Sequence, residues 1–375
     1  MAPVWIKLPL FSRVLTAFLL LTYHFLVRYT CIGTLLNGPR KRHRLTMRTS
    51  LLAFLLLVTG ATAAEDRGNP PTPRRPEAAA PASSGAEPLV LLDNGTVQVG
   101  VDRTKGGAIT HLSWKAHPTN MVNHHDPGRL IQQSYYAGKS LDRIAEGQSK
   151  AWSPWPWNPI QGGGIGSWAR MTELRHLPGP ALFGETVPKL WDMPSEEAAA
   201  HMRQWTGFEP GLPDVVVVRC EFESRREPGD RWGEARASSQ EIPACYFVRS
   251  FSQVKSYLGD GRWRGETQPP GPPWGRTEPP LKAMAMFNAE GQGVAVFSPS
   301  AKGPWNFGPH GTDNSTDPGA GPCMHVAPLE TVALTPRATY RYRYWLVVGT
   351  EDQLARRLDE LWLKYSNERS ELVTP

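Results

Sequence analysis

Cysteine is scarce in this 375-residue chain: there are four, of which Cys31 falls in an N-terminal leader and only Cys220, Cys245 and Cys323 in the body. At most one disulfide can form there, so the body must stand on its core and not on covalent staples. No CxxC pair and no Cys/His spacing of a zinc site occurs. GxSxG, HExxH, the kinase set, GxGxxG and the P-loop frame are all missing, so no nucleophile or nucleotide-binding motif can be assembled from the sequence. Acidic residues are absent from residues 1–64, which hold eight of the 41 Lys and Arg. The other 33 face 35 Asp and Glu, so the formal net charge of +6 belongs to the leader and the body sits near −2. Such a body lacks the cationic footprint that nucleic acid requires, and that class of partner is set aside.

The leader points to export. Residues 47–64 combine Arg48, the apolar run Leu51–Val58 and the small residues Gly60-Ala61-Thr62-Ala63-Ala64, the pattern of a secretory signal peptide. Upstream, residues 14–36 form a second apolar stretch, followed by the basic cluster from Arg40 to Arg44. Either translation begins at Met47 and residues 1–46 are not part of the protein, or residues 14–36 are retained as a membrane anchor with a positive cytoplasmic flank. The expectation is a secreted or periplasmic protein, membrane-anchored in the second case, with no stable membrane insertion of the mature domain. Residues 65–87 are rich in Pro, Ala and charge, too polar to offset the entropy of ordering, and read as a disordered linker.

What is plentiful is proline (36), glycine (35) and tryptophan (14). Pro removes helix hydrogen bonds and Gly costs helix entropy, so a helical bundle is disfavoured. Short apolar runs separated by turn residues predict strands instead. Leu89–Leu92 and Val97–Val101 flank Asn94-Gly95, a hairpin signal. Further strands are predicted at Ala108–Trp114, Leu130–Tyr136, Val215–Phe222, Cys245–Phe251, Ala283–Phe287, Gly293–Phe297, Thr331–Leu334 and Tyr340–Val348. Four β-branched residues in a row, Val215–Val218, ask for a strand covered on both faces. A short helix is predicted over Ser195–Met202 and a long amphipathic one over Glu351–Tyr365, with Leu354, Leu358, Leu361 and Leu363 apolar. The expected architecture is an all-β domain over 88–367, a large antiparallel β-sandwich closed by a C-terminal helix, with 368–375 as a tail.

Three segments carry candidate chemistry. Asn123 to Tyr136 places Asn123, Asp126, Arg129, Gln133 and Tyr135 within a short span, the donors and acceptors that hold a hydroxylated ligand. A polar strand edge with a turn at Pro127-Gly128 would look the same. The adjacent His124 and His125 point to opposite faces of an extended strand, which argues against a shared metal ion. Trp155, Trp157, Asn158 and Gln161 form the second segment: indoles on a proline-stiffened loop as sugar platforms, with amides reaching hydroxyls, or else Trp capping the core. In the third, Pro243 fixes the backbone beside Glu241. Asp126 and Glu241 are the best carboxylate pair for acid–base work on a glycosidic bond, with a structural Glu241–Arg129 ion pair as the alternative.

These segments, with Asn94–Val101, Gly106–Ser113 and Tyr344–Gly349, resemble the galactose-mutarotase-like β-sandwich superfamily, in particular a group of secreted bacterial and fungal proteins. The resemblance spans about Pro88 to Tyr365. It implies a supersandwich with a carbohydrate-facing concave sheet, while the spaced His and Glu pattern of aldose epimerases is not matched. The expected function is binding and cleavage of a polysaccharide or oligosaccharide by a glycoside hydrolase. Asp126, Glu241 and Tyr135 would be catalytic, Asn123, Arg129, Gln133, Trp155, Trp157, Asn158 and Gln161 would bind substrate, and no metal or cofactor is expected. A polysaccharide lyase using Arg129 or Asn123 with Tyr135, and a non-catalytic carbohydrate-binding module, are the alternatives.

Overall fold

The computed structural model describes residues 87–126, 128–311 and 320–375. The predicted anchor, signal segment, linker residues 65–86 and Pro127 lie outside the described residues. Among these residues the chain forms two large antiparallel sheets, a three-stranded sheet, a two-stranded one and one long α-helix.

The Asn94-Gly95 hairpin forms as predicted, between Leu89–Asp93 and Val97–Asp102. Asn94 Oδ1 accepts from the N–H groups of Thr96 and Val97, and Gly95 takes φ +81°, which a side chain would oppose.

The eight-stranded sheet runs Lys189–Leu190, Pro159–Ile160, Gln132–Ser134, Ala237–Phe247, Cys323–Ala327, Trp305–His310 and Gly275–Thr277, with Leu329–Ala333 also pairing the central Ala237–Phe247. The ten-stranded sheet has Thr339–Thr350 and Val215–Ser224 at its middle. Between the two sheets lies the main core, where Ile242, Cys245, Phe247, Met324, Val326, Trp305 and Phe307 meet Val216, Val218, Phe222, Tyr342 and Leu346. The β-branched run behaves as its composition demands. Val216 and Val218 face this core, while Val215 and Val217 face a second cluster under the helix.

The helix Glu351–Tyr365 has the predicted bounds. The Gln353 side chain accepts from the Thr350 N–H and fixes its start. Leu354, Leu358 and Leu361 are buried against the ten-stranded sheet, each contributing about 1.5–3 kcal/mol of apolar burial. Leu363, counted above with the apolar stripe, points to solvent at 84 % exposure.

Three expectations need correction. Ser195–Met202 is not helical: Glu197 bridges Lys189, and Ala200–Phe208 is a strand paired on both sides. Ala198, Ala200 and Met202 are buried on alternate positions, so packing with period two overrides the helix propensity of the alanines. The strand predicted over Cys245–Phe251 ends at Phe247 and begins eight residues earlier than foreseen, at Ala237, passing through Pro243. In the tail, Glu371–Val373 pairs with Thr339–Arg341 and so extends the sandwich.

Candidate active site on the outer face of the eight-stranded sheet

The site starts from an irregularity at Pro243. Proline cannot donate to a ladder. Around it the pairing of Ala237–Phe247 with Gln132–Ser134 slips, Glu241 facing Ser134 and Ala244 facing Gln132, so one strand spends an extra residue. Ile242 and Cys245 therefore both point into the core, while Glu241, Ala244 and Tyr246 share the opposite, outer face. On the next strand Cys323 and His325 alternate with the core residues Met324 and Val326, and Tyr246 sits directly across from His325. His310, opposite Cys323 on the strand beyond, completes the row.

Asn123 builds the loop above this face. It is fully buried; its Oδ1 accepts from the N–H groups of His125 and Asp126, and its Nδ2 donates to the carbonyls of Asp126 and Arg129, both at 2.7 Å. Its own N–H donates to Tyr246 O at 3.0 Å, which ties the loop to the central strand. Asn123 thus positions Asp126 and Arg129, whose side chains meet at 2.5 Å. Arg129 lies 5.1 Å from the Trp191 ring and 6.0 Å from that of Tyr246, held by two aromatic faces. The glycines Gly162–Gly164 serve close packing here: a Cβ on Gly162 would fall 2.2 Å from Gln132 Oε1, and one on Gly164 2.7 Å from Trp191 O.

Two imidazole–carboxylate pairs lie side by side. His325 donates through Nδ1 to the carbonyl of Cys245 at 3.2 Å, a group that can only accept. Its Nε2 then faces Glu241 Oε1 at 3.4 Å with no hydrogen-bond partner. Glu241 and His325 thus stand as one imidazole–carboxylate pair. His310 Nδ1 likewise stands without a partner, 3.9 Å from Asp126 Oδ2. Burial, reinforced by Arg129 and His325, pushes the His310 imidazole down to about 3, so it is neutral at physiological pH. Burial also opposes the Arg129 charge, but the adjacent Asp126 outweighs it and the guanidinium is held more firmly than usual. The Tyr246 and Tyr136 phenols are pushed up by burial and then by Glu241, and remain hydrogen-bond donors. The face is largely covered: 15 % of the Asp126 side chain, 11 % of Glu241 and 11 % of His310 stay exposed, and none of His325.

His310 has a consequence for stability. An unfolded histidine takes up a proton below about pH 6.5, whereas the folded one stays neutral to about 3. Stability is therefore lost as pH falls through that window, by up to about 1.4 kcal/mol per unit. Urea unfolding from pH 7 to 4 should show this fall, reduced in His310→Asn. Parallel profiles for the two proteins would exclude it.

The predicted residues divide. Asp126, Arg129 and Glu241 come together on this face, with Trp155 at its rim, 6.3 Å edge-on from the Tyr136 ring. Arg129 pairs with Asp126 and not with Glu241. Tyr135, Gln133, Trp157 and Gln161 do not reach the site. Tyr135 is fully buried against Phe222 and Tyr340, and its hydroxyl donates to Gln133. Trp157, 1 % exposed, packs on Phe222 under Arg226. Gln161 spans the two sheets, donating to Gln204 and Gly107 O and accepting from Gln133 N–H, because buried amides must be satisfied. Asn158 donates to Tyr135 O and accepts from the Trp155 indole, so it orients that ring. Sequence reasoning missed His310, His325, Tyr136, Tyr246, Trp191 and Trp274. The signal was faint: a lone histidine in the apolar run Cys-Met-His-Val-Ala and a tyrosine five residues after Glu241.

A cleft of about 220 Å³ opens elsewhere, along Asp93, Gln98, Ser113 and Lys115 of the three-stranded sheet. Asp93 is its sole carboxylate and accepts from Gln98. On the outer face of the eight-stranded sheet, by contrast, two carboxylates each have an imidazole within reach, His310 3.9 Å from Asp126 and His325 3.4 Å from Glu241. His124 and His125 are exposed, and among the described residues no group of three or more His, Cys, Asp or Glu is arranged to hold a metal ion. Among these residues no helix is long and apolar enough to cross a membrane.

No protein-family model matches the chain, and no curated protein does. Among solved structures it is similar to a TPR-domain-containing protein from Parabacteroides distasonis ATCC 8503, at 10 % identity, covering 70 % of this chain and 47 % of that one, with a TM-score of 0.42. It is similar to the heparan sulfate lyase HepC from Pedobacter heparinus at 6 % identity, over 70 % of this chain and 35 % of that one, with a TM-score of 0.36. A chain assigned as an aldose 1-epimerase from Klebsiella pneumoniae subsp. pneumoniae is 10 % identical over 72 % of this chain and 81 % of that one, with a TM-score of 0.32. The chain spans about half or less of the length of the first two. Likeness this distant carries no argument about chemistry, which rests on the residues themselves.

Proposed function

We propose that the protein is an exported carbohydrate-active enzyme that hydrolyses a glycosidic bond on the outer face of its eight-stranded sheet. The observation that carries this reading is the pair of differently placed carboxylates. Asp126 meets the Arg129 guanidinium at 2.5 Å, whereas Glu241 faces Nε2 of the His325 imidazole at 3.4 Å. Two carboxylates in such different surroundings, one beside a guanidinium and one beside an imidazole, are what acid–base cleavage of an acetal needs. Glu241 delivers its proton to the glycosidic oxygen as the bond to the anomeric carbon breaks. Asp126 stabilises the positive charge that develops there, and water supplies the new hydroxyl while its other proton returns to the Glu241 carboxylate. Tyr136 and Tyr246 donate to sugar hydroxyls, and Trp155 offers an apolar ring face. The resemblance to galactose-mutarotase-like sandwiches supports a sugar as ligand, and the composition of residues 47–64 supports export.

The lyase alternative loses its base, since Tyr135 is buried in the core and its phenol is pushed well above the ordinary value by burial. The test is a screen of the full chain against neutral and uronic-acid polysaccharides, reading reducing ends and the absorbance of unsaturated sugars. New reducing ends without unsaturation are expected. Unsaturated product would replace hydrolysis by elimination, and binding without turnover would reduce the protein to a binding module.

A further inference from the structure

The aromatic residues on this face are not gathered at one end. Trp152 and Trp155 meet edge-to-face at 5.0 Å, and Trp152 reaches Trp191 at 5.6 Å. Trp191 follows the strand Lys189–Leu190 at one end of the eight-stranded sheet. Trp274 immediately precedes Gly275–Thr277, the strand at the other end. Between them runs an unbroken series of ring and cation contacts. Trp191 carries Arg129 at 5.1 Å, Arg129 reaches Tyr246 at 6.0 Å, Tyr246 stacks on His325 at 4.3 Å, and His325 lies 4.3 Å from Trp274. Trp152, Trp155 and Trp274 are each half-buried and so keep part of their surface open to solvent. The charged centre, Asp126 with Arg129 and Glu241 with His325, lies between the two indole groups.

A site that trims single sugars from a chain end needs a closed pocket on one side of its acid–base centre and a platform on the other. Platforms on both sides favour a ligand that continues in both directions, because each stacked ring adds apolar contact at low entropic cost. We propose that the substrate is a sugar chain lying across the sheet, with Trp152 and Trp155 holding the residues on one side of the cleaved bond and Trp274 those on the other, so that cleavage falls inside the chain. This inference rests on the proposed hydrolytic site and adds to it the length of the substrate and the position of the cut.

The test uses the full chain carrying Glu241→Gln, with tryptophan fluorescence as the readout and cello-, xylo-, manno- and galacturono-oligosaccharides of one to six units as probes. In at least one series the affinity is expected to rise tenfold or more from two units to six. Adding Trp155→Ala or Trp274→Ala should each remove most of that rise while leaving the dimer within about threefold. The protein with Glu241 intact should release internal fragments from the hexamer of that series before any single sugar. Affinity that saturates at one or two units, or a release of monomers alone, overturns the inference and leaves the hydrolytic reading standing. Failure of every series to bind at any length removes both.

Discussion

Replacing Glu241 by Gln is expected to lower turnover by about 10²- to 10⁴-fold with no loss of folded protein, the usual contribution of a positioned general acid. Gln keeps the shape of the side chain and leaves Ser134 and Leu329, its neighbours across the strand, in place. What disappears is the carboxyl group that faces Nε2 of His325 at 3.4 Å. His325→Asn should be nearly as damaging, since an amide can replace Nδ1 in donating to the Cys245 carbonyl but presents nothing to Glu241. Because the two residues act as one unit in the proposed step, the double variant should cost little more than either single one. Additive losses would show two independent roles, and full turnover in Glu241→Gln would remove the residue from the chemistry.

The largest effect on stability belongs to a tryptophan that looked like a sugar platform in the sequence. Trp157→Ala should destabilise the domain by about 3–5 kcal/mol, the cost of emptying a large buried site that cannot collapse. Trp157 fills the main core beside Phe222 and carries the buried Arg226 guanidinium 5.3 Å from its ring. Guanidinium unfolding would read the loss directly. An unchanged midpoint together with weakened sugar binding would mean that Trp157 faces ligand after all. Trp155, two residues earlier, lies at the rim, so its replacement should leave the midpoint nearly unchanged.

That contrast shows what one sequence can and cannot reveal. The all-β class, the Asn94-Gly95 turn, the doubly covered Val215–Val218 strand and the helix Glu351–Tyr365 were legible because each rests on local chemistry: a turn residue, a run of β-branched side chains, a 3.6-residue period. The loop Asn123–Arg129 was legible as a polar cluster for the same reason. Which of its neighbours lie on the outer face was not. Tyr135 and Tyr136 point to opposite faces of the sheet, and no composition argument distinguishes them. Gln133 and Gln161 carry the groups that sugars bind, yet the Gln133 amide is taken up by Arg203 O and the Tyr135 hydroxyl, and that of Gln161 by Gly107 O, Gln204 and the Gln133 N–H. His325 joined the site only through a register linking strands about 80 residues apart, and Glu241 reached the outer face only through the slip at Pro243.

Crystals of Glu241→Gln soaked with the oligosaccharide series that binds best would address the whole account at once. Sugar density is expected across the eight-stranded sheet from Trp155 to Trp274, with one glycosidic oxygen within hydrogen-bond reach of residue 241 and an anomeric carbon beside Asp126. Density confined to the cleft along Gln98 and Lys115, with the Glu241–His325 face bare, would contradict it.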